Sequence, residues 1–345
     1  MKKVMALLFA LTLTFGLMAG CGEKEAENGS NSSAAGSSPA ASVSPAASSP
    51  AASSSPSASP EAAAFPRTYK DVLGNDVVIK EKPKRVAVAF FHFLEPWFAI
   101  GVTPVAGDSS NTLLEGFLSL QPYAKDKALV MDLGSPMSLE RLLEVKPDLI
   151  ISATPYNDKI HEQLLQIAPV VVFKNEMDWK TRLVEFSKLV GEEKAANAKV
   201  AEIEKLIATS KEKLSAYKDK SVAFLSFNNK GGYTAYGIDR NAAFYDPNLG
   251  LGLTPPQNYP PVHGKDNLFT LEGVVGMNPD YIFIWDDATS NSEETNLVEL
   301  KNNAIWNTLT AVKNNHVFIL DRSAFSGGPL GVEYGVKTVT ENMTK

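Results

Sequence analysis

Short runs of β-branched and aromatic residues alternate along the chain with stretches whose apolar positions recur every three or four residues, the pattern of an α/β protein. Buried strands are expected at Val86 to Phe91, Asp148 to Ala153, Val170 to Phe173, Ser221 to Phe227, Tyr281 to Trp285 and His316 to Asp321. Ahead of the first, Gly74-Asn75-Asp76 supplies turn chemistry between two extended runs, so a hairpin leads into it. Between Glu192 and Tyr217, the residues Val200, Ile203, Ile207, Ser210, Leu214 and Tyr217 fall on one stripe at helical spacing. A helix of that span would be about 39 Å long, enough to cross a small domain.

The pattern repeats itself. Leu139-Glu140 followed by Pro147-Asp148 and an apolar run recurs as Leu271-Glu272 followed by Pro279-Asp280 and an apolar run, 132 residues later. Gly101-Val-Thr-Pro104 is echoed by Gly252-Leu-Thr-Pro255, and the strands at Val86 and Val222 stand in the same order before them. Each Leu-Glu copy reads as a short helix, stopped by Pro-Asp, that delivers a strand. The expected architecture is therefore two similar α/β lobes bridged by one long α-helix. The boundaries fall at 65–190 for the N-terminal lobe, 191–219 for the linking helix and 220–345 for the C-terminal lobe. A surface helix belonging to one lobe is the alternative for the long helix.

The first 64 of the 345 residues do not fit this scheme. Residues 1–20 open with Lys2 and Lys3, run apolar from Val4 to Met18 and end in Ala19-Gly20, an export signal too short for a spanning helix. Cys21 follows and is the only cysteine, so no internal disulfide can form. Leu17-Met18-Ala19-Gly20-Cys21 resembles the lipobox of bacterial lipoproteins, in which the signal is cut before the cysteine and the sulfur carries lipid; the family most often has Leu where Met18 stands. From Gly29 to Ala64, 31 of 36 residues are Ser, Ala or Pro, so 21–64 reads as a lipidated cysteine and a disordered tether. The formal charge of −6 becomes about −5 for the body from Phe65 onward, once the four Glu and three Lys ahead of it are set aside. That sign argues against nucleic acid and against docking on anionic lipid.

Lipobox, tether, hairpin, SPMSLERLLEVKPDLII, the long helix and FTLEGVVGMNPDYIFI together resemble the iron-siderophore, heme and cobalamin binding proteins of bacterial ABC importers. The likeness covers most of residues 66 to 330. It implies a monomeric extracytoplasmic binding protein with a ligand cleft between its two lobes, lipid-anchored at Cys21 to the outer face of the cytoplasmic membrane. Such a protein delivers ligand to a permease dimer served by a separate ATPase subunit, with no catalysis and no intrinsic cofactor. In the family, the glutamate of each Leu-Glu motif meets arginines of the permease, so the resemblance assigns docking to Glu140 and Glu272. Read from the residues alone, each is also an ordinary helix N-terminal charge.

In open α/β sheets, ligands bind beyond the carboxyl ends of strands. The residues expected there are His92, Phe93, Tyr156, Lys230, Tyr233, Tyr236, Trp285 and Arg322. The four histidines lie far apart, without the spacing of a bare-metal site, which favours a ferric siderophore whose iron already has its ligands. Heme is the alternative, with Met137 and His263 as an axial pair across the cleft; cobalamin is a further one. A lipid-anchored enzyme or adhesin is the reading from another class. Against the enzyme, the chain lacks Gly-x-Ser-x-Gly, His-Glu-x-x-His and a phosphate-cradling glycine loop.

Overall fold

The computed structural model describes residues 64–227, 232–262, 264, 267–286 and 300–345. The hairpin is β1 (Arg67–Lys70) paired antiparallel with β2 (Asp76–Ile79), Arg67 opposite Ile79. Asp71 closes its turn by accepting the N–H groups of Leu73 (3.0 Å) and Asn75 (2.9 Å), and Gly74 takes the positive φ of 88°.

The first lobe continues through β3 (Val86–Val88), α1 (Glu95–Ala99), β4 (Ala106–Gly107), α2 (Ser110–Gly116), β5 (Met131–Asp132), α3 (Leu139–Glu144), β6 (Leu149–Thr154), α4 (His161–Leu165) and β7 (Val170–Lys174). Its five strands are all parallel, in the order β5-β4-β3-β6-β7. Helices on both faces explain why β3, β6 and β7 read as continuous apolar runs. Next come α5 (Trp179–Val190), capped by Asp178 and ended at Gly191 with φ +69°, and α6 (Glu193–Leu214). With 22 residues, α6 is about 33 Å long, and a 3-10 turn from Ser215 to Tyr217 completes the span expected from periodicity. Val200, Ile203, Ile207, Ser210 and Leu214 are all buried along it.

The second lobe holds β8 (Val222–Phe227), β9 (Tyr233–Ala235), α7 (Ala242–Tyr245), β10 (Leu268–Phe269), α8 (Leu271–Met277), β11 (Tyr281–Asp286) and β12 (Val317–Ile319). Its order is β10-β9-β8-β11-β12, with β8, β11 and β12 parallel and β9 and β10 antiparallel. The lobes thus share β3-β6-β7 against β8-β11-β12 and differ at the other edge.

The sequence echo is one joint built twice. Gly101 and Gly252 both take left-handed φ, +76° and +67°. The Pro-Asp aspartates both clasp the start of their lobe's first strand. Asp148 N–H donates to Arg85 O (3.0 Å), and its carboxylate accepts the N–H of Lys84 (2.7 Å) and Arg85 (3.0 Å). Asp280 N–H donates to Ser221 O (3.0 Å), and its carboxylate accepts Ser221 N–H (2.9 Å).

The last helix, Pro329–Met343, departs from the expected division. Sequence alone placed all of 220–345 in the second lobe, but this helix packs along α6 and onto α1 and α5 of the first. Val332, Val336, Val339 and Met343 are buried there, and Lys199 of α6 reaches Glu333 at 2.6 Å. At its start the fully buried Glu95 of α1 accepts the Gly331 N–H through Oε2 (2.9 Å), while Oε1 takes the Ser119 hydroxyl (3.2 Å). A Cβ on Gly328 would lie 2.3 Å from Oε2 of Glu95, so glycine is required for this approach. Nearby, Leu118 N–H donates to Asp321 Oδ1 (3.1 Å) and Ser119 N–H to Ser323 Oγ (3.2 Å). The lobes are therefore joined both by α6 and by the segment 321–331.

Candidate ligand cleft and docking carboxylates

The strand ends that face the cleft carry aromatic groups, and the packing sorts the expected ones into two sets. After β3 the chain turns through Phe91–Phe93. Phe91 and His92 are half-buried at the surface side, with ring centroids 3.9 Å apart. Tyr156, beyond β6, is 53% exposed and lies 4.6 Å from the Phe90 ring and 6.3 Å from Phe91. On the second lobe Tyr236 is half-buried and stands 4.8 Å from Trp285.

Three expected contacts change role. Phe93 is completely buried, wedged among Phe90, Phe173 and Phe186 with the Arg182 guanidinium over its ring at 5.2 Å. It belongs to the core because the 3-10 turn rotates it inward while Phe91 and His92 stay out. Tyr233 is buried between Phe227 (5.5 Å) and Trp306 (6.2 Å), and that burial pushes its phenol up to about 12. Trp285 is only 4% exposed, one face on Phe325 at 3.8 Å and the other toward Tyr236, so it backs the cleft instead of lining it. Arg322 is half-buried with its guanidinium 5.2 Å from the Phe117 ring of the first lobe. Met137 packs against the small apolar cluster around Leu133 and Leu142. Lys230, His263 and Cys21 lie outside the described residues.

His92 is where the two lobes meet electrostatically. Burial, then the field of Arg182, lowers its imidazole to about 4, with Arg240 and Arg322 adding to the shift and a hydrogen bond to the Ser326 backbone opposing it. The ring is neutral at physiological pH and presents lone pair and N–H, not charge. Arg182 is a buried strut behind this turn, and Arg240 adds its charge to the surroundings of His92. Arg182 grips the carbonyls of His92 (3.1 Å), Met177 (2.9 Å) and Asn175 (3.2 Å), so it fixes the His92 backbone. Neither role carries a local signature, since both arise from residues distant in sequence. A shallow depression of about 710 Å³ runs along the free edge strand β5 and is lined by none of these aromatic groups.

Glu140 and Glu272 occupy matching places, each in the first turn of its short helix and exposed. Each carboxyl is held below its ordinary value, first by its own backbone N–H and then by the hydroxyl of the N-cap residue, Ser138 or Thr270. Both are therefore ionised anions throughout the neutral range.

Among the described residues no group of three or more His, Cys, Asp or Glu could hold a metal ion, and no helix is long and apolar enough to cross a membrane. Residues 86–324 match the periplasmic binding protein family. The chain belongs to that family. It is 30% identical to the iron(3+)-hydroxamate-binding protein FhuD of Bacillus subtilis, over all of this chain and 98% of that protein. Among solved structures it superposes on a periplasmic binding protein component of a Fep/Fec-like ferrichrome ABC transporter from Bacillus subtilis. The TM-score there is 0.66 at 27% identity, covering 80% of this chain and all of that one. It superposes also on Staphylococcus aureus SirA complexed with staphyloferrin B, with a TM-score of 0.64 at 25% identity, covering 80% of this chain and 98% of that one. This family member has the two-lobed α/β build with a long helix that its sequence repeat predicted.

Proposed function

We propose that this protein captures a ferric siderophore between its lobes and delivers it to an ABC-transporter permease, acting by binding and not by catalysis. The observation that carries the reading is the pair of strand-end faces. Phe91, His92 and Tyr156 on one lobe and Tyr236 on the other offer flat, mostly uncharged surface to a large organic shell. A ligand that brings its own oxygen donors to iron needs recognition of that shell alone, which fits a set of groups with no metal-binding cluster among the described residues. The whole-length likeness to an iron(3+)-hydroxamate-binding protein supports a hydroxamate shell as the first to test. Docking falls to Glu140 and Glu272, which meet cationic groups on a permease driven by a separate ATPase. Cys21 carries the lipid that keeps the body at the outer face of the cytoplasmic membrane.

The test is a fluorescence titration of the mature protein with ferrioxamine B, ferrichrome, ferric citrate and heme. Trp285, its ring 4.8 Å from that of Tyr236, is expected to give a saturable change with at least one ferric hydroxamate. A flat response to every ferric siderophore would reject the cleft assignment, and saturation by heme alone would transfer it to heme.

A further inference from the structure

Each of the two carboxylates assigned to docking stands beside the N-cap hydroxyl of its helix, a serine in one lobe and a threonine in the other. Ser138, the N-cap of α3, accepts the Arg141 N–H at Oγ (3.3 Å) and donates its own hydrogen to Oε2 of Glu140 (2.8 Å). Thr270, the N-cap of α8, accepts the Gly273 N–H at Oγ1 (3.3 Å), and its hydroxyl helps hold the Glu272 carboxyl below its ordinary value. A hydroxyl has one hydrogen and two lone pairs, so it can cap a helix and hold an anion at once. The helix itself needs only the acceptor, which Asp or Asn supplies equally well. The donated O–H does nothing for the helix; what it does is fix where the carboxylate points.

An exposed glutamate otherwise samples many rotamers, and that freedom is lost when a partner binds. Here the Glu140 carboxylate already accepts the cap hydroxyl, and each carboxyl is held below its ordinary value by its own backbone N–H and the cap hydroxyl while its residue stays exposed. From this arrangement, built twice 132 residues apart, we infer that Ser138 and Thr270 are positioning residues for permease docking. Their hydroxyls set the Glu140 and Glu272 carboxylates, oriented and ionised, before the cationic partner surface arrives. The inference rests on the docking reading above.

The test uses the mature full-length protein and the permease–ATPase complex that it retains from solubilised membranes of its own cells. That complex is reconstituted in nanodiscs, and binding is measured from pH 4 to 8. Glu140→Gln with Glu272→Gln tests the docking reading: binding equal to wild type overturns it, and the present inference with it. Given that loss, Ser138→Asp with Thr270→Asp keeps both caps but removes the donors and sets a like charge beside each glutamate. It is expected to weaken binding by roughly three- to tenfold per site. Ser138→Ala with Thr270→Ala is expected to lose binding at a higher pH than wild type does as acid is added, because the glutamates then protonate earlier. Ser138→Thr with Thr270→Ser restores both behaviours. Wild-type affinity in the Asp pair, or an unchanged acid limb in the Ala pair, would show that the hydroxyls serve the helices alone and overturn the inference.

Discussion

Glu95 is a carboxylate sealed between the lobes, and replacing it separates what its shape does from what its charge does. Burial raises its pKa above the ordinary 4.5, against the opposing pull of the Gly331 N–H, the Ser326 and Ser119 hydroxyls and the Arg182 charge. A group whose folded pKa is raised stabilises the fold below its unfolded pKa, and that contribution is lost as pH climbs through the folded value. Wherever the pH lies above that folded value, the ionised Glu95 is therefore a net electrostatic cost. Arg182 does not depend on it for partners, since three carbonyls and the Phe93 ring hold the guanidinium. Glu95→Gln keeps the acceptor for Gly331 and turns its amide toward the two hydroxyls, so at pH 7.5 it should be neutral or stabilising by up to about 1 kcal/mol. Glu95→Ala leaves Gly331, Ser119 and Ser326 facing a cavity and should cost about 2–4 kcal/mol, or roughly 5–12 °C in Tm for a body of this size. Thermal unfolding of both variants from pH 4 to 8 is the assay. The advantage of Glu95→Gln over wild type should shrink as pH falls toward 4.5 and vanish below it. A loss in Glu95→Gln matching that of Glu95→Ala at pH 7.5, or a difference independent of pH, would refute the reasoning.

Two further outcomes follow from the same packing. Phe93→Ala should lower stability by about 3–5 kcal/mol by emptying a core site, whereas Tyr156→Ala should leave Tm within a degree or two and weaken a bound ferric siderophore about tenfold; unfolding and binding curves for the two, side by side, check the exchange of roles. Gly331→Ala would place a Cβ 2.2 Å from the Ser323 carbonyl, a backbone clash expected to cost about 2–3 kcal/mol by chemical denaturation.

The long elements were legible because burial imposes a period on them. The stripe from Val200 to Leu214 and the strands ending at Ala153, Phe173 and Trp285 appear where the apolar pattern puts them. The strands β4, β5, β9 and β10 were missed, because two or three residues are too few to show alternation. Within the cleft, residue type was a poor guide to exposure. Phe91, His92 and Phe93 are consecutive, yet a 3-10 turn sends only the last into the core. Glu95 and Arg182 could not be read as partners of Gly331 and His92 because those contacts span 236 and 90 residues. Glu140 and Glu272 were paired by the sequence repeat, while the hydroxyls beside them looked like ordinary caps.

The C-terminal helix closes over α1 and α5, and residues at its start receive Glu95. A chain made from its N-terminus thus cannot finish its first lobe until residues 329–343 have been added. Any premature stop upstream of Pro329 leaves the Trp97, Phe186 and Val200 neighbourhood open on one side, so truncated products carry an exposed apolar seam that housekeeping proteases can recognise. The lobe that comes first along the chain is in this way closed by the helix that comes last among the described elements.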